Sequence, residues 1–275
     1  MTDLKQKQLE LYRSLEQLGS GAVAFSAGVD SSYLLYAAHE VLGDNAVAIT
    51  AKLRSVPREE LEQAQQLCKE LGIRHIITEL DELTIEGFSQ NPKNRCYLCK
   101  RGVFSQIISE ARGVGISHVL EGSNTDDDND YRPGMQAIRE LGVLSPLKAA
   151  GLSKSQIREL SRQAGLPTWN KPQLACLSTR IAYGDRITAQ KLEIIGKAEK
   201  MLRQLGFEQV RVRLHGTLAR IEVENDRIPL ITSPEILVQV RGYFAALGFT
   251  HTALDLNGYR SGSMNAEAGS TADSE

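Results

Sequence analysis

The sequence predicts an α/β protein, with a parallel-sheet domain over residues 1–184, a smaller α+β domain over 185–264 and a disordered tail over 265–275. Three observations predict it. Apolar runs of strand length alternate with helical stretches through the first half, which argues for a parallel sheet covered on both faces. Around Tyr183-Gly-Asp-Arg186 that alternation gives way to two helices among three short strands. Beyond Asn265 no large apolar residue remains to build a core.

Taken in order, Leu4, Leu11, Leu15 and Leu18 share one face of a first helix, which Gly19 can end. Residues 22–25 read as a short strand and Ser26, Ala27 and Gly28 as a tight turn. A helix opens near Ser31 and runs to about Leu42. A second strand follows at 46–51. Pro57 opens a helix with the stripe Leu61, Ala64, Cys68 and Leu71, which makes Cys68 a core thiol. Strands at 75–80 and 117–122 flank a helix near 103–111. Ligands of such sheets sit beyond the carboxyl ends of the strands. That rule gathers residues 26–31, Thr50 with Ala51, and residues 122–130 at one edge. After the boundary come a helix at 189–205, strands at 210–214 and 218–223, a helix at 234–247 and a strand at 252–256. The expected sheet is mostly antiparallel. Leu205-Gly-Phe207 and Leu247-Gly-Phe249 form a faint internal repeat, each a helix feeding a strand.

Composition narrows the function classes. No apolar run in the 275 residues approaches the roughly 18 needed to span a membrane. Residues 1–10 lack the apolar core of a signal peptide, so the expected location is cytoplasmic. A net charge of −2 argues against a constitutive nucleic-acid coat, and no nucleic-acid partner is expected. Four cysteines point to metal or redox chemistry before structural disulfides. His39, His75, His118, His215 and His251 are isolated and read as ordinary surface or core residues.

The chemistry centres on Ala22-Val-Ala-Phe-Ser-Ala-Gly-Val-Asp-Ser-Ser-Tyr-Leu-Leu35. A helix that starts just after a buried strand presents unpaired N–H groups and a positive dipole end. Small residues at 26–28 let a phosphate approach, and the hydroxyls of Ser26, Ser31 and Ser32 can add hydrogen bonds. A bare Asp30 carboxylate would repel phosphate, so it fits as a helix cap or as a Mg²⁺ ligand. An ordinary strand–turn–helix corner is the plain alternative. A Walker-type Gly-x-x-x-x-Gly-Lys-[Ser/Thr] loop is absent from the chain.

Arg95-Cys-Tyr-Leu-Cys-Lys-Arg101 carries a Cys-x-x-Cys pair whose basic neighbours favour thiolates. With Cys176 the chain has one ligand too few for a closed structural zinc site. The spacing leaves open a cluster or catalytic metal, a redox pair, and unrelated thiols. In Val210-Arg-Val-Arg-Leu214, alternation puts Arg211 and Arg213 on one face, either as a fork for phosphate or as a solvated surface. Glu199 would neutralise them or reach a metal. The acidic loop at 124–134 either lets Asp126 and Asp130 steer Mg²⁺ or orient Arg132, or is simply solvated.

Ser26, Gly28, Asp30 and Ser31 match the Ser-Gly-Gly-x-Asp-Ser pyrophosphate loop of the ATP pyrophosphatases, with Ala27 in place of the first glycine. That alanine needs an L-allowed backbone. Further marks are Asp130-Tyr-Arg-Pro-Gly134, Trp169-Asn-Lys171, Cys176 with Ser178 and Arg180, residues 210–213, and residues 254–262. With these the chain resembles the LarE family of ATP-dependent sulfurtransferases. The resemblance implies an ATP pyrophosphatase fold with ATP and Mg²⁺. It also implies adenylation of the carboxylates of pyridinium-3,5-biscarboxylic acid mononucleotide and their conversion to thiocarboxylates for the nickel-pincer cofactor. It places nucleotide contacts at Ser26, Gly28, Asp30, Ser31, Ser32, Thr50, Ala51, Lys100 and Gly122, with Asp30 and Cys176 catalytic. Ser178, Arg180, Glu199, Arg211 and Arg213 would bind the substrate, the last two at its phosphate. Cys96, Cys99 and Cys176 resemble the ligand set of the three-cysteine branch, which carries a 4Fe–4S cluster. Homo-hexamers, a sulfide donor and a downstream nickel-insertion protein are the implied partners. Two rivals remain: a tRNA thiolase, for which Arg95–Arg101 and Arg211–Arg213 make only a small basic surface, and a non-catalytic metal-binding module regulated by nucleotide, with Ala27 marking a degenerate loop.

Overall fold

The computed structural model of the protein describes residues 3–129, 133–172 and 175–260. They fall into two compact units, one of Met1–Ile85 with Asn94–Leu174, the other of Glu86–Lys93 with Ala175–Glu275. The second unit begins ahead of Tyr183 because its backbone ties there are local. Gly184 N–H donates to Asn91 O at 3.0 Å, Ile187 N–H to Ser89 O at 2.8 Å, and Ile181 bridges Leu214. Asp130, Tyr131 and Arg132 and the tail at 265–275 lie outside the described residues.

The first unit runs α1 (Asp3–Leu18), β1 (Gly21–Ala24), α2 (Val29–Leu42), β2 (Ala46–Lys52), α3 (Arg58–Leu71), β3 (Arg74–Glu79), α4 (Arg95–Gly113), β4 (Val119–Leu120), α5 (Gly134–Glu140), α6 (Pro146–Ala149) and α7 (Lys154–Gln163). The sheet order is β3-β2-β1-β4 and every pairing is parallel. Successive strand residues face opposite sides, and the core divides accordingly. Val23, Ala46 and Ala48 pack with Leu11, Leu15, Leu34 and Leu35 from α1 and α2, whereas Ala22, Val47 and Ile49 pack with Phe104, Ile107 and Ala111 from α4. Each fully buried leucine contributes about 1.5–3 kcal/mol to that arrangement. Cys68 is part of the first cluster, and burial pushes its thiol up to about 12. It is a core residue. Strand β4 is shorter than the apolar run suggests, and Leu144 adds a parallel bridge to Leu120 beside it.

The second unit contains α8 (Ala189–Gln204), β5 (Arg211–His215), β6 (Leu218–Glu222), α9 (Ile228–Ile231), α10 (Pro234–Ala246) and β7 (His251–Leu254). The Thr188 side chain caps α8 by accepting from Lys191 N–H at 3.2 Å. Strand β5 pairs antiparallel with β6, but β6 pairs parallel with β7, so the sheet is evenly mixed and not mostly antiparallel. The reason is α10, a helical crossover that returns the chain in the same direction as β6. The Leu-Gly-Phe repeat has a physical cause. Gly206 (φ 92°) and Gly248 (φ 95°) end α8 and α10 in the left-handed region, and the next N–H, of Phe207 and of Phe249, closes back on Leu202 O and Phe244 O. Among the described residues no helix is long and apolar enough to cross a membrane.

Candidate functional site

Strand order reverses between β1 and β4, which opens a crevice beyond their carboxyl ends. The loop after β1 lies there. Helix α2 begins at Val29, earlier than its composition suggests, with Gly28 as N-cap and no side chain capping it. Asp30 is therefore a first-turn residue and not a cap. Its Oδ1 accepts from Asn124 Nδ2 at 3.4 Å, and its Oδ2 is paired with the Lys154 ammonium. Ser31 Oγ lies 3.1 Å from Ser26 Oγ and donates to Gly28 O at 3.3 Å, which folds the turn on itself. Ser26 is exposed and Gly28 half-buried, as phosphate contacts require. Ser32 differs. It is fully buried, and its hydroxyl has no hydrogen-bond partner among the described residues, so it sits behind the loop.

Gly122, just past β4, closes the crevice on the other side. A Cβ there would lie 3.0 Å from Ser31 N and 3.2 Å from Asp30 Cβ, so only glycine permits this approach. Ala27 has φ 53°, inside the small left-handed region open to L residues, and is fully buried. Its carbonyl accepts from Lys171 Nζ at 3.0 Å. At the end of β2, Thr50 Oγ1 donates to Phe25 O at 2.8 Å and lies 2.8 Å from His75 Nε2. With its one proton engaged, the threonine must accept from a His75 that carries hydrogen on Nε2. Burial lowers the His75 pKa, in keeping with a neutral ring. His75 is thus no isolated core histidine but a support for the strand beneath the loop. Ala51 is half-buried next to Thr50. Lys100 is half-buried and lays its stem across Gly134, where a Cβ would come within 2.6 Å of Lys100 Cδ.

The site residues expected in the second unit form a buried ion cluster. Arg180 and Glu199 are 1% and 0% exposed and pair through two hydrogen bonds, 2.7 and 3.1 Å long. Glu199 also accepts from Arg203 at 2.8 Å and from Val212 N–H at 3.1 Å. Burial alone would raise the Glu199 pKa, but the Arg180 charge and hydrogen bond, with Arg203, hold it below the ordinary carboxylate value. Arg211 and Arg213 do share a strand face, but they are 3% and 5% exposed, so the reading of a solvated surface is wrong. Among the described residues their partners differ. Arg213 makes a two-pronged pair with Glu222, both bonds 3.0 Å, and donates to Thr179 O at 2.8 Å. Arg211 stacks over the Tyr259 ring at 4.9 Å, and burial, with Arg180 nearby, lowers its pKa. Glu199 neutralises Arg180, then, and Glu222 neutralises Arg213. Ser178 Oγ is buried in this unit with no hydrogen-bond partner among the described residues.

Cys96 and Cys99 stand in the first turns of α4, exposed and half-buried, three residues apart on one helical face. Half-buried Cys176 belongs to the second unit. Among the described residues no three His, Cys, Asp or Glu side chains come together as a metal site. Arg95 is buried, which removes it from the basic surface a tRNA-binding reading would use.

No family model matches the chain. Individual proteins do. The chain is 38% identical, over 96% of its length and 96% of theirs, to a pyridinium-3,5-bisthiocarboxylic acid mononucleotide synthase of Lactiplantibacillus plantarum. The chain belongs to the LarE family. An uncharacterized Synechocystis protein is 42% identical over 95% of this chain and 98% of its own. A tRNA-specific 2-thiouridylase of Syntrophus aciditrophicus is 27% identical over 61% of this chain and 55% of its own, which ties this LarE-family chain to the ATP pyrophosphatase fold. Sequence reasoning missed Lys154 and Asn124, whose partner Asp30 is far away along the chain, and Glu222, whose pairing with Arg213 depends on the register of two neighbouring strands.

Proposed function

We propose that this LarE-family chain converts the carboxylates of pyridinium-3,5-biscarboxylic acid mononucleotide to thiocarboxylates, with ATP cleaved to AMP and pyrophosphate. The observation that carries the reading is the loop at 26–31 set in the switch-point crevice, with Gly122 pressed against it. A carboxylate does not react with a sulfur nucleophile, because oxide is too poor a leaving group. Attack of the substrate carboxylate on the α-phosphate of ATP breaks the α–β bridge, releases pyrophosphate and leaves an acyl adenylate. The N–H groups at the start of α2 and the hydroxyl of the exposed Ser26 stabilise charge on the departing pyrophosphate, with Ser31 bracing the turn behind it. Asp30 fits as the Mg²⁺ ligand, since its half-buried carboxylate already holds a cation, the Lys154 ammonium. Mg²⁺ there would draw negative charge off the leaving group. Thr50, Ala51, Lys100 and Gly122 line the nucleotide side.

Ser178, Arg180 and Arg211 are assigned to the mononucleotide, with Glu199 and Arg213 fixing the pose of this set. The orphaned Ser178 hydroxyl supports that assignment. Sulfur then attacks the acyl carbon and expels AMP. Cys96, Cys99 and Cys176 would hold a 4Fe–4S cluster, which when bound would supply sulfide at its unligated iron. As isolated pieces the donors suit it: two thiols on one helical turn and a third half-buried thiol.

The test is Cys176→Ala in full-length protein prepared without oxygen. Adenylation persists and thiocarboxylate formation is lost; a variant that still makes thiocarboxylate refutes the role of Cys176. Iron and sulfide analysis of the unaltered protein separates the cluster from cysteine-donor chemistry, about four iron per chain being expected for a cubane.

A further inference from the structure

Lys171 has no part in the chemistry above, yet its ammonium reaches back to the phosphate loop. Nζ donates to Ala27 O at 3.0 Å and is held in place by Glu60 Oε2 at 2.7 Å and Gln63 Oε1 at 2.6 Å. The Lys171 and Glu60 side chains are each 13% exposed, so the pair is shielded from competing water. Ala27 is the residue whose φ is 53°. That region is disfavoured for alanine and free for glycine.

A trans peptide is planar, and its C=O and N–H point in opposite directions. The bond that draws Ala27 O towards Lys171 therefore turns the Gly28 N–H away from it. Gly28 is the N-cap of α2, and among the described residues nothing accepts from its N–H. Without the lysine, residue 27 would be free to leave the left-handed region by turning φ and ψ together, a change that carries its carbonyl off Lys171 and swings the Gly28 N–H out of the loop.

We propose that Lys171 is a positioning residue. It locks the Ala27–Gly28 peptide so that the Gly28 N–H faces a nucleotide phosphate, and it thereby offsets the alanine that stands at this turn. The proposal rests on the nucleotide-binding reading of the loop. It accounts for a lysine in the Trp169-Asn-Lys171 stretch, far from the loop in sequence, that shares its charge between a carboxylate and one backbone carbonyl.

The test is calorimetric titration of Mg·ATP into the full chain in four forms: unaltered, Lys171→Met, Ala27→Gly, and the double variant. Glycine needs no help to stay at positive φ, so the lysine matters only when residue 27 is alanine. Lys171→Met should weaken binding roughly tenfold in the alanine background and at most about twofold in the glycine background. A merely structural role for Lys171 gives equal losses in both backgrounds and overturns the proposal, as does no loss in either. If the unaltered chain itself fails to bind, the nucleotide reading falls and takes this proposal with it, a result distinct from a selective null at Lys171. Should Lys171→Met not fold, Lys171→Met with Glu60→Gln, which leaves no lone carboxylate, replaces it in both backgrounds.

Discussion

The loop after β1 and the ion cluster around β5 are built from different materials. The loop is mainly backbone: a turn of small residues, a helix start, and one carboxylate held by Lys154 and Asn124. The cluster is made of side chains in two charge-paired groups, Arg180 and Arg203 on Glu199 and Arg213 on Glu222, almost all sealed from water. Backbone donors need no counter-charge when empty. Buried guanidiniums do, and the two glutamates supply it. The loop should therefore tolerate substitution in terms of folding while losing nucleotide chemistry, and the cluster should fail in stability first.

The largest expected effect lies in the cluster. Glu199→Ala strands the buried Arg180 without its carboxylate, and breaking such a pair costs about 3–5 kcal/mol. A urea titration should show the midpoint fall accordingly; an unchanged midpoint would mean the pair is solvated in solution. Next comes Asp30→Asn in the loop, which should leave the urea midpoint nearly unchanged but lower Mg²⁺-dependent ATP–pyrophosphate exchange by roughly a hundredfold. Equal losses of stability from both variants would erase the difference between loop and cluster. Gly122→Ala forces a methyl to 3.0 Å from Ser31 N. Overpacking of this kind costs about 1–3 kcal/mol, and because it bears on the loop it should raise KM for ATP more than it lowers kcat.

The smallest effect is one of pH. Burial holds the His75 pKa below its ordinary 6.5, so the unfolded chain binds the proton more readily than the folded one. The stability this represents is complete above 6.5 and is lost as pH falls towards the lowered folded-state value. His75→Gln should flatten that part of a melting-temperature profile, and a profile that stays as steep would exclude His75 as its source.

The loop was legible in sequence because backbone sites leave a local signature: small residues, a carboxylate and hydroxyls within six positions, between a strand and a helix. The strands were legible for a similar reason, since short apolar runs such as 46–51 need no knowledge of distant residues. The cluster was only half legible. Alternation correctly put Arg211 and Arg213 on one face, but burial depends on what covers that face, and Glu222 lies on the next strand. Ala27 was visible as a departure, but its left-handed φ and its link to Lys171 are tertiary facts. Helices α5 to α7 went unread because they are short and their apolar stripes are sparse. The capping box of α7, Ser153 with Gln156, was the local signal that could have revealed one of them.

Adenylation is decided by the product ratio from ATP in the presence and absence of the pyridinium dicarboxylate mononucleotide. AMP and pyrophosphate should form in equal amounts, and only when the dicarboxylate is present. ADP with phosphate, or nucleotide cleavage indifferent to the dicarboxylate, would contradict adenylation.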